Sequence, residues 1–446
     1  MGSLLWRIAW TESLRWSKRR STYVVGAGLM ALTWLSAAVG AGDLEARRQA
    51  HASQLQAIAA DQVKPRLPMT GTTVERVLRL TRAPEVGSII ARGDDVRLPA
   101  YFDFGPAGLV WGRSVITDTV QAQTGALLDV ESILRVLGGL IAVLLATQTI
   151  GGSRFRGQLS AWQALGVPPV VGVAGKLLGC MVLLAAGTIS ALVVAAGAAS
   201  WHLGEGVPLG MFAWTVVLIT LFLSTQAAIG TAVALWMGTP TRASIAGVAA
   251  WALVSMVGPQ ISESAARLLA PIEPRDSFEA LRDQTFSEDV RAAEQALGDL
   301  VLDPLAPWKG HPPPLILDSV VEAHSTQMEK IWTDHVRAGR KTAQAADATW
   351  YQASHRQLAI SRWLQLVTPG ACLIRAVTAF TGTGAGLSVS WYEHAEARQQ
   401  QLNAALFDNR SQATVRVLSQ TTVHRRHPTL RWSATSANLR MCCATR

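Results

Sequence analysis

The chain has 446 residues, of which 49% are hydrophobic and only 16% charged, and its mean hydropathy is +0.23. Soluble domains carry about a quarter charged residues, so an ordinary water-soluble globular fold is excluded. The formal net charge of +9 does not signal a nucleic-acid groove. Residues 1–20 hold five Lys/Arg against one Glu and residues 421–446 hold five Arg and no acid, which accounts for the whole excess. The polar stretches 43–131 and 263–420 carry slightly more acid than base. A basic end beside an apolar run is a topology signal instead.

Residues 1–20 read as a cytoplasmic amphipathic segment. Trp6, Trp10 and Leu14 recur every four residues, with Arg7, Arg15, Lys18 and Arg19 mostly elsewhere around the helix and Ile8 off the stripe. Tryptophan favours the headgroup region, and Lys/Arg favour anionic inner-leaflet lipid. The segment therefore reads as a helix lying along the cytoplasmic surface, the plainer alternative being a helical run-in to the first span.

A membrane-crossing helix needs about 20 apolar residues, because the hydrocarbon core is about 30 Å thick and a helix rises about 1.5 Å per residue. Five stretches meet this: 21–42, 133–153, 177–200, 207–237 and 243–260. Between Lys176 and Arg242 the only formal charge is Glu205. The first stretch follows basic residues and ends in small ones, as a signal peptide would, but it is longer than the about 7–15 apolar residues of such a peptide. It reads as an uncleaved anchor. The fold class expected is an all-α polytopic membrane protein with five transmembrane helices and two large extracytoplasmic insertions. Short-link charges set the orientation. Basic residues fill 1–20, the link 154–176 (Arg154, Arg156, Lys176) and the link at Arg242, whereas Trp201–Gly206 has no Lys or Arg. This alternation puts the N-terminus in the cytoplasm and the insertions 43–130 and 261–420 on the far side.

In the first insertion, Asp43–Gln62 continues the span as a polar helix, and the short Gly/Pro-rich segments Val86–Ala91 and Tyr101–Trp111 predict an irregular or β-containing subdomain. The second insertion is mainly helical, with Phe278–Leu302, broken at Gly298, and Ile316–Leu366 separated by the breaker His311–Pro314. Ala376–Tyr392 is uncharged, but Thr381–Gly384 interrupts it. It reads as a half-buried or interfacial segment rather than a sixth span.

No chemical motif emerges. A P-loop needs Gly, four residues, then Gly-Lys-Ser/Thr. The nearest string, Gly172–Leu177, has Val170 at the first glycine position and Leu177 at the hydroxyl position. Any ATP is hydrolysed by another chain, and this chain carries no cofactor. HExxH, CxxC and GxSxG are absent. Cys180, Cys372, Cys442 and Cys443 lack metal-ligand spacing, and His324, His335 and His355 read as solvated polar positions. Within the spans Gln148, Thr225 and Gln226 are the notable polar residues, fitted to interhelical hydrogen bonding or to a substrate pathway. The lack of charged span residues argues against an ion-coupled carrier. Gly26, Ala27, Gly28 and Ala31, and Gly187, Ala191 and Ala195, permit close helix approach, either in a bundle or at a dimer seam.

The link 154–176 is the most informative segment: basic residues, a short amphipathic helix, a Pro stop, then the third span. Gly157, Leu159, Gly166-Val167-Pro168 and Gly175-Lys176-Leu177, with the approach Gly125–Asp129 to span two, resemble permease subunits of the type-two ATP-binding-cassette exporters. The likeness is to the branch with two large periplasmic insertions, related to nitrous-oxide-reductase maturation and gliding-motility permeases, and it covers most of residues 1–400. It implies a bacterial inner-membrane protein, a separate ATPase subunit docked at Arg154, Arg156, Gly157, Leu159 and Lys176, and a second permease copy or paralogue. The chain departs from the pattern twice. Ser153 and Phe155 stand where the family places two glutamates, so the ATPase contact is lost or arginine-based. The family's sixth span is missing. A rival reading from another class is a membrane-anchored periplasmic sensor or assembly scaffold without transport activity. An enzyme ranks last, since no catalytic grouping is present.

The tail 421–446, basic and rich in Ser, Thr and His with Cys442 beside Cys443, has the composition of a shifted reading frame in GC-rich DNA. Translating the gene in the other two frames after about residue 410 should then reveal a hydrophobic span; if neither frame encodes one, the explanation fails.

Overall fold

The structure, a computed structural model, describes residues 2–63, 78–93, 101–104, 109–111, 129–155, 157–204, 208–237, 239–301 and 314–384, together with 394, 395, 397 and 398. The tail 421–446 and most of 385–420 lie outside the described residues, as do 205–207 at the start of the expected fourth span.

Helix α1 (Gly2–Ser17) turns sharply into α2 (Arg20–Val63). The polar half of α2 continues the apolar half without a break, because its Ala-, Gln- and Arg-rich composition favours helix. Three short strands follow, β1 (Leu78–Thr81), β2 (Tyr101–Phe104) and β3 (Leu109–Trp111). They form an antiparallel sheet with Leu80 opposite Phe102 and Phe102 opposite Trp111. Helix α3 is continuous through Val130–Ile133, a π-helical turn at Leu134–Gly138, and Gly139–Phe155. Then come the short α4 (Gln158–Ala164), α5 (Pro169–Leu203) and α6 (Leu209–Trp236). Helix α7 runs through Pro240–Ala252, a second π-helical turn at Leu253–Val257, and Gly258–Leu269. The long hairpin α8 (Arg275–Val301) and α9 (Pro314–Gln365) precedes α10 (Pro369–Phe380).

Five of these helices are long and apolar enough to cross a membrane: Arg20–Ala57, Val130–Ser153, Pro169–Leu203, Leu209–Trp236 and Pro240–Leu269. Helix α3 is central, with 61% of its apolar window buried within the protein against 22–39% for the other four. The outer helices leave Val24, Leu35, Val193, Leu221 and Ile245 exposed. So large an apolar surface requires lipid as its solvent.

Several boundaries differ from the sequence reading. The third span begins at Pro169 rather than Leu177, so Lys176 belongs to a spanning helix and not to a surface link, and with Glu131 and Arg135 in Val130–Ser153 it overturns the expectation of spans free of charged residues. Gly166, at φ +74°, ends α4, and Pro168 and Pro169 open α5, since proline suits the first helical turn. Gly298 does not interrupt α8, which runs on to Val301. One glycine costs only about 1 kcal/mol in a helix, and α8 is supported along its length by α9. There the Arg282 guanidinium is buried against Asp347 of α9 at 3.4 Å and Asp283 at 3.0 Å, and Phe278 meets Trp350. Helix α10, only 12 residues, packs beside α6 and the π-helical turn of α7 and is too short to span.

The expected small-residue seams are used in part within the chain: Ala191 and Ala195 are buried in the core. A Cβ on Gly26, Gly28 or Gly187 would meet nothing within 4 Å. Close approaches at glycine lie at Gly230 and Gly247, against α3, and at Gly175 and Gly179 of α5, across which α1 lies. A Cβ at Gly175 would stand 2.8 Å from the Ile8 side chain, and at Gly179 2.7 Å from the Ala9 carbonyl. This docking buries Ala9, Glu12, Ser13 and Trp16 and leaves Trp6, Trp10 and Leu14 exposed. Ile8, off the tryptophan stripe, faces the protein. The helix therefore has two apolar faces, one for α5 and one for the surroundings.

Gly179→Leu should undock α1 and cost on the order of 1–3 kcal/mol, the range for overpacking. Thermal unfolding in detergent and protease cleavage of the N-terminal helix read this out. Gly187→Leu, facing open space, should stay within about 0.5 kcal/mol of the unmodified chain; equal effects of the two would refute the docking.

Candidate functional site

The residues with the most unusual environment gather at the basic end of the bundle, where α1, α3, α4 and α5 meet. Lys176 lies in the second turn of α5 and is completely buried. A buried ammonium must find acceptors, since leaving it unpaired costs several kcal/mol. It donates to the Ser153 hydroxyl at the end of α3 and to Gln158 Oε1 at the start of α4, the latter at 3.1 Å. Its countercharge is Glu12 of α1, 3.8 Å away. The Trp162 ring of α4 covers it, with the ring centroid 5.1 Å from Nζ, a distance at which the ring quadrupole attracts a cation. One side chain thus holds four helices.

Local backbone chemistry presents these partners. Gly157 takes φ +67°, the left-handed region glycine favours, and so lets α3 end and α4 begin within two residues. Ser153 also donates to the Thr149 carbonyl, which sets its lone pairs toward Lys176. On the same face of α3, Thr149 accepts from the Trp16 indole N–H at 3.0 Å. The Trp16 carbonyl in turn accepts from Thr22 Oγ1 at 2.8 Å, which fixes the turn from α1 into α2.

The residues proposed from sequence separate into three groups. Lys176 is central but unreachable by another chain, because burial removes it from any docking surface. Gly157 has the turn role just described. Arg156 and the side chains of Arg154 and Leu159 lie outside the described residues. Among the intramembrane polar positions, Gln226 is buried and donates to Ser255 Oγ of α7 at 3.3 Å, with its Oε1 lacking a partner among the described residues. Thr225 bonds back to Leu221 O of its own helix at 3.0 Å. Gln148 is exposed toward a cavity beside Trp16. The structure does not bring Gln148 together with Thr225 and Gln226 into one pathway; interhelical hydrogen bonding describes Gln226 alone.

The sequence reading missed Glu12, Gln158 and Trp162. Glu12 had a signal: it is the sole acid in the first 42 residues. Among the described residues no group of three His, Cys, Asp or Glu side chains could hold a metal ion.

At the other end of α3 a second polar cluster joins the two insertions to the bundle. Asp129 caps α3 through Ser132 N at 2.8 Å and accepts from Arg92 N at 3.1 Å. Arg92 reaches Asp43 of α2 at 3.8 Å, and Thr383 Oγ1 donates to the Ala91 carbonyl at 2.8 Å. No family model matches the sequence, and no curated protein matches it.

Lys176→Met leaves the Glu12 carboxylate buried without its ammonium, so unfolding in detergent should be easier by on the order of 3–5 kcal/mol. Adding Glu12→Gln should recover most of that loss. Lack of recovery in the double variant would show that the pair is not coupled.

Proposed function

We propose that the chain is the membrane-spanning permease subunit of an ATP-driven exporter of the ATP-binding-cassette class, resident in a bacterial inner membrane with its N-terminus cytoplasmic. The observation that carries the proposal is the position of α4. This seven-residue helix sits outside the spanning helices at the basic end of the bundle, and it is tied to α1, α3 and α5 through the single buried ammonium of Lys176. A force applied to α4 by a nucleotide-driven subunit would reach the ends of two spanning helices together. Such tilting of packed helices is the usual way that a small displacement becomes a change of state.

The resemblance in 157–177 supports the same reading, and the cluster accounts for one of its departures. The resemblance implies glutamates at 153 and 155. In this chain Ser153 accepts from Lys176, and the carboxylate near that lysine comes from α1 instead, as Glu12. A carboxylate at position 153 would duplicate that countercharge. The contact to the ATPase then falls to Arg154 and Arg156, beside the helix α4 that carries Leu159 and that Lys176 and Gly157 hold in place. ATP belongs to the partner subunit. The insertions 43–130 and 261–420 occupy the periplasm, where they meet substrate or a partner protein, and a second permease copy or paralogue completes the assembly.

Purified from its native membrane in mild detergent, the chain should retain an ATPase subunit, and Arg154→Ala with Arg156→Ala should reduce that retention severalfold without changing expression. Reporter fusions should place 157–168 and 43–130 on opposite sides of the membrane. Correct sidedness with no ATPase retained would sink the exporter reading and leave the scaffold; both segments on one side would sink the topology as well.

A further inference from the structure

A cavity of about 210 Å³ opens at the basic end between α1, α3 and α7, with Glu12, Arg15, Trp16, Arg19, Gln148 and Pro240 in its wall. We propose that it holds the phosphate-bearing headgroup of an anionic phospholipid. This is independent of any ATPase and rests only on the bundle lying in a membrane with its basic end at the anionic leaflet.

Charge comes first. The wall contains one carboxylate, Glu12, which faces the buried Lys176 at 3.8 Å and Arg15 at 3.9 Å. Lys176 alone offsets it, so Arg15 and Arg19 remain as surplus positive charge, and among the described residues Arg19 has no carboxylate partner. The second element is rigidity. Trp16 is 7% exposed and pinned through its indole N–H to Thr149, and the Arg19 guanidinium lies over its ring, 4.2 Å from the centroid. That contact holds the guanidinium at the cavity wall, and a guanidinium's forked N–H groups suit it to grip two phosphate oxygens at once. The exposed amide of Gln148 adds a neutral donor.

The third element is the surroundings. One turn beyond Arg19 along α2, Tyr23 and Val24 are 67% and 71% exposed, and beyond Pro240 along α7 Ile245 is 67% exposed. A ligand with an anionic head and apolar tails satisfies both the cavity and this rim. A soluble anion satisfies only the cavity, and a cavity of this size takes a headgroup but not acyl chains.

The test is native mass spectrometry of the full chain, delipidated in detergent and titrated with phosphatidylglycerol, phosphatidylcholine or inorganic phosphate. One phosphatidylglycerol should be retained per chain in preference to phosphatidylcholine. Arg15→Gln with Arg19→Gln should weaken it by about tenfold or more, as expected for the loss of charge-assisted hydrogen bonds. Lys18→Gln, on the same turn but outside the cavity wall, should leave it unchanged. If the double variant misfolds, Arg19→Lys serves instead, keeping the charge but losing the forked guanidinium, and should weaken retention severalfold. Equal retention by the arginine variants, or equal binding of phosphatidylcholine, would overturn the proposal. Displacement of the lipid by inorganic phosphate would also overturn it, by assigning the site to a soluble anion.

Discussion

A charge that cannot reach water must be answered from within, and Lys176 imposes that condition on everything around it. Its position in α5 is fixed by the helix, so the partners have to come to it: a hydroxyl from α3, an amide oxygen and a ring from α4, and a carboxylate from α1. None of these helices can rotate or slide by a turn without stranding the ammonium. The cost of a stranded buried charge exceeds the roughly 1 kcal/mol of an ordinary hydrogen bond. The buried cation is therefore weak evidence for added stability and strong evidence for a specified arrangement. It also explains why α1, a short and only partly apolar helix, is held against α5 and not left free on the surface.

Spans of lipid-facing helix are legible in sequence because the requirement is simple: enough apolar residues in a row. Val193 and Leu221 satisfy it whichever way their helices face, so all five helices could be located. What chooses a helix's neighbour is less legible. Gly26 and Gly187 have the composition of packing residues yet have no neighbour where a Cβ would stand, while Gly175 and Gly179 receive α1. The difference is which side of α5 another helix happens to occupy, a tertiary fact that four-residue spacing alone does not contain. Lys176 was misplaced for a related reason. Counting basic residues to orient a membrane protein assumes that they stand in short links, and this one is enclosed in a spanning helix. Arg154, Arg156, Arg242 and the N-terminal cluster remain the basic residues of the sequence on which the expected orientation rests.

The two ends of α3 are built on different principles. At the basic end, the lysine draws helices together with little regard for chain order. At the other end Asp129 and Asp43, which bound the first insertion, are linked through Arg92 within it, and Thr383, just beyond α10, brings in the second. The three-stranded sheet and the α8–α9 hairpin are thus anchored where they join the bundle. With 52 residues, α9 extends for about 78 Å at about 1.5 Å per residue, more than twice the thickness of a hydrocarbon core. Any load on that hairpin arrives at α7 and α10, against which its C-terminal end rests.

Between those ends, α3 and α7 each carry a π-helical turn, and the two turns face one another. Arg135 Nη1, within the first, donates to the Ser255 carbonyl within the second at 2.8 Å, and the same guanidinium pairs with Glu131 at 3.0 Å. A π-helical turn widens the helix and disturbs its regular hydrogen bonding, which makes a carbonyl such as that of Ser255 available to an outside donor. Ser255 also takes the Gln226 amide through its hydroxyl. One residue of α7 is therefore held from both α3 and α6 at the level where both α3 and α7 depart from regular geometry.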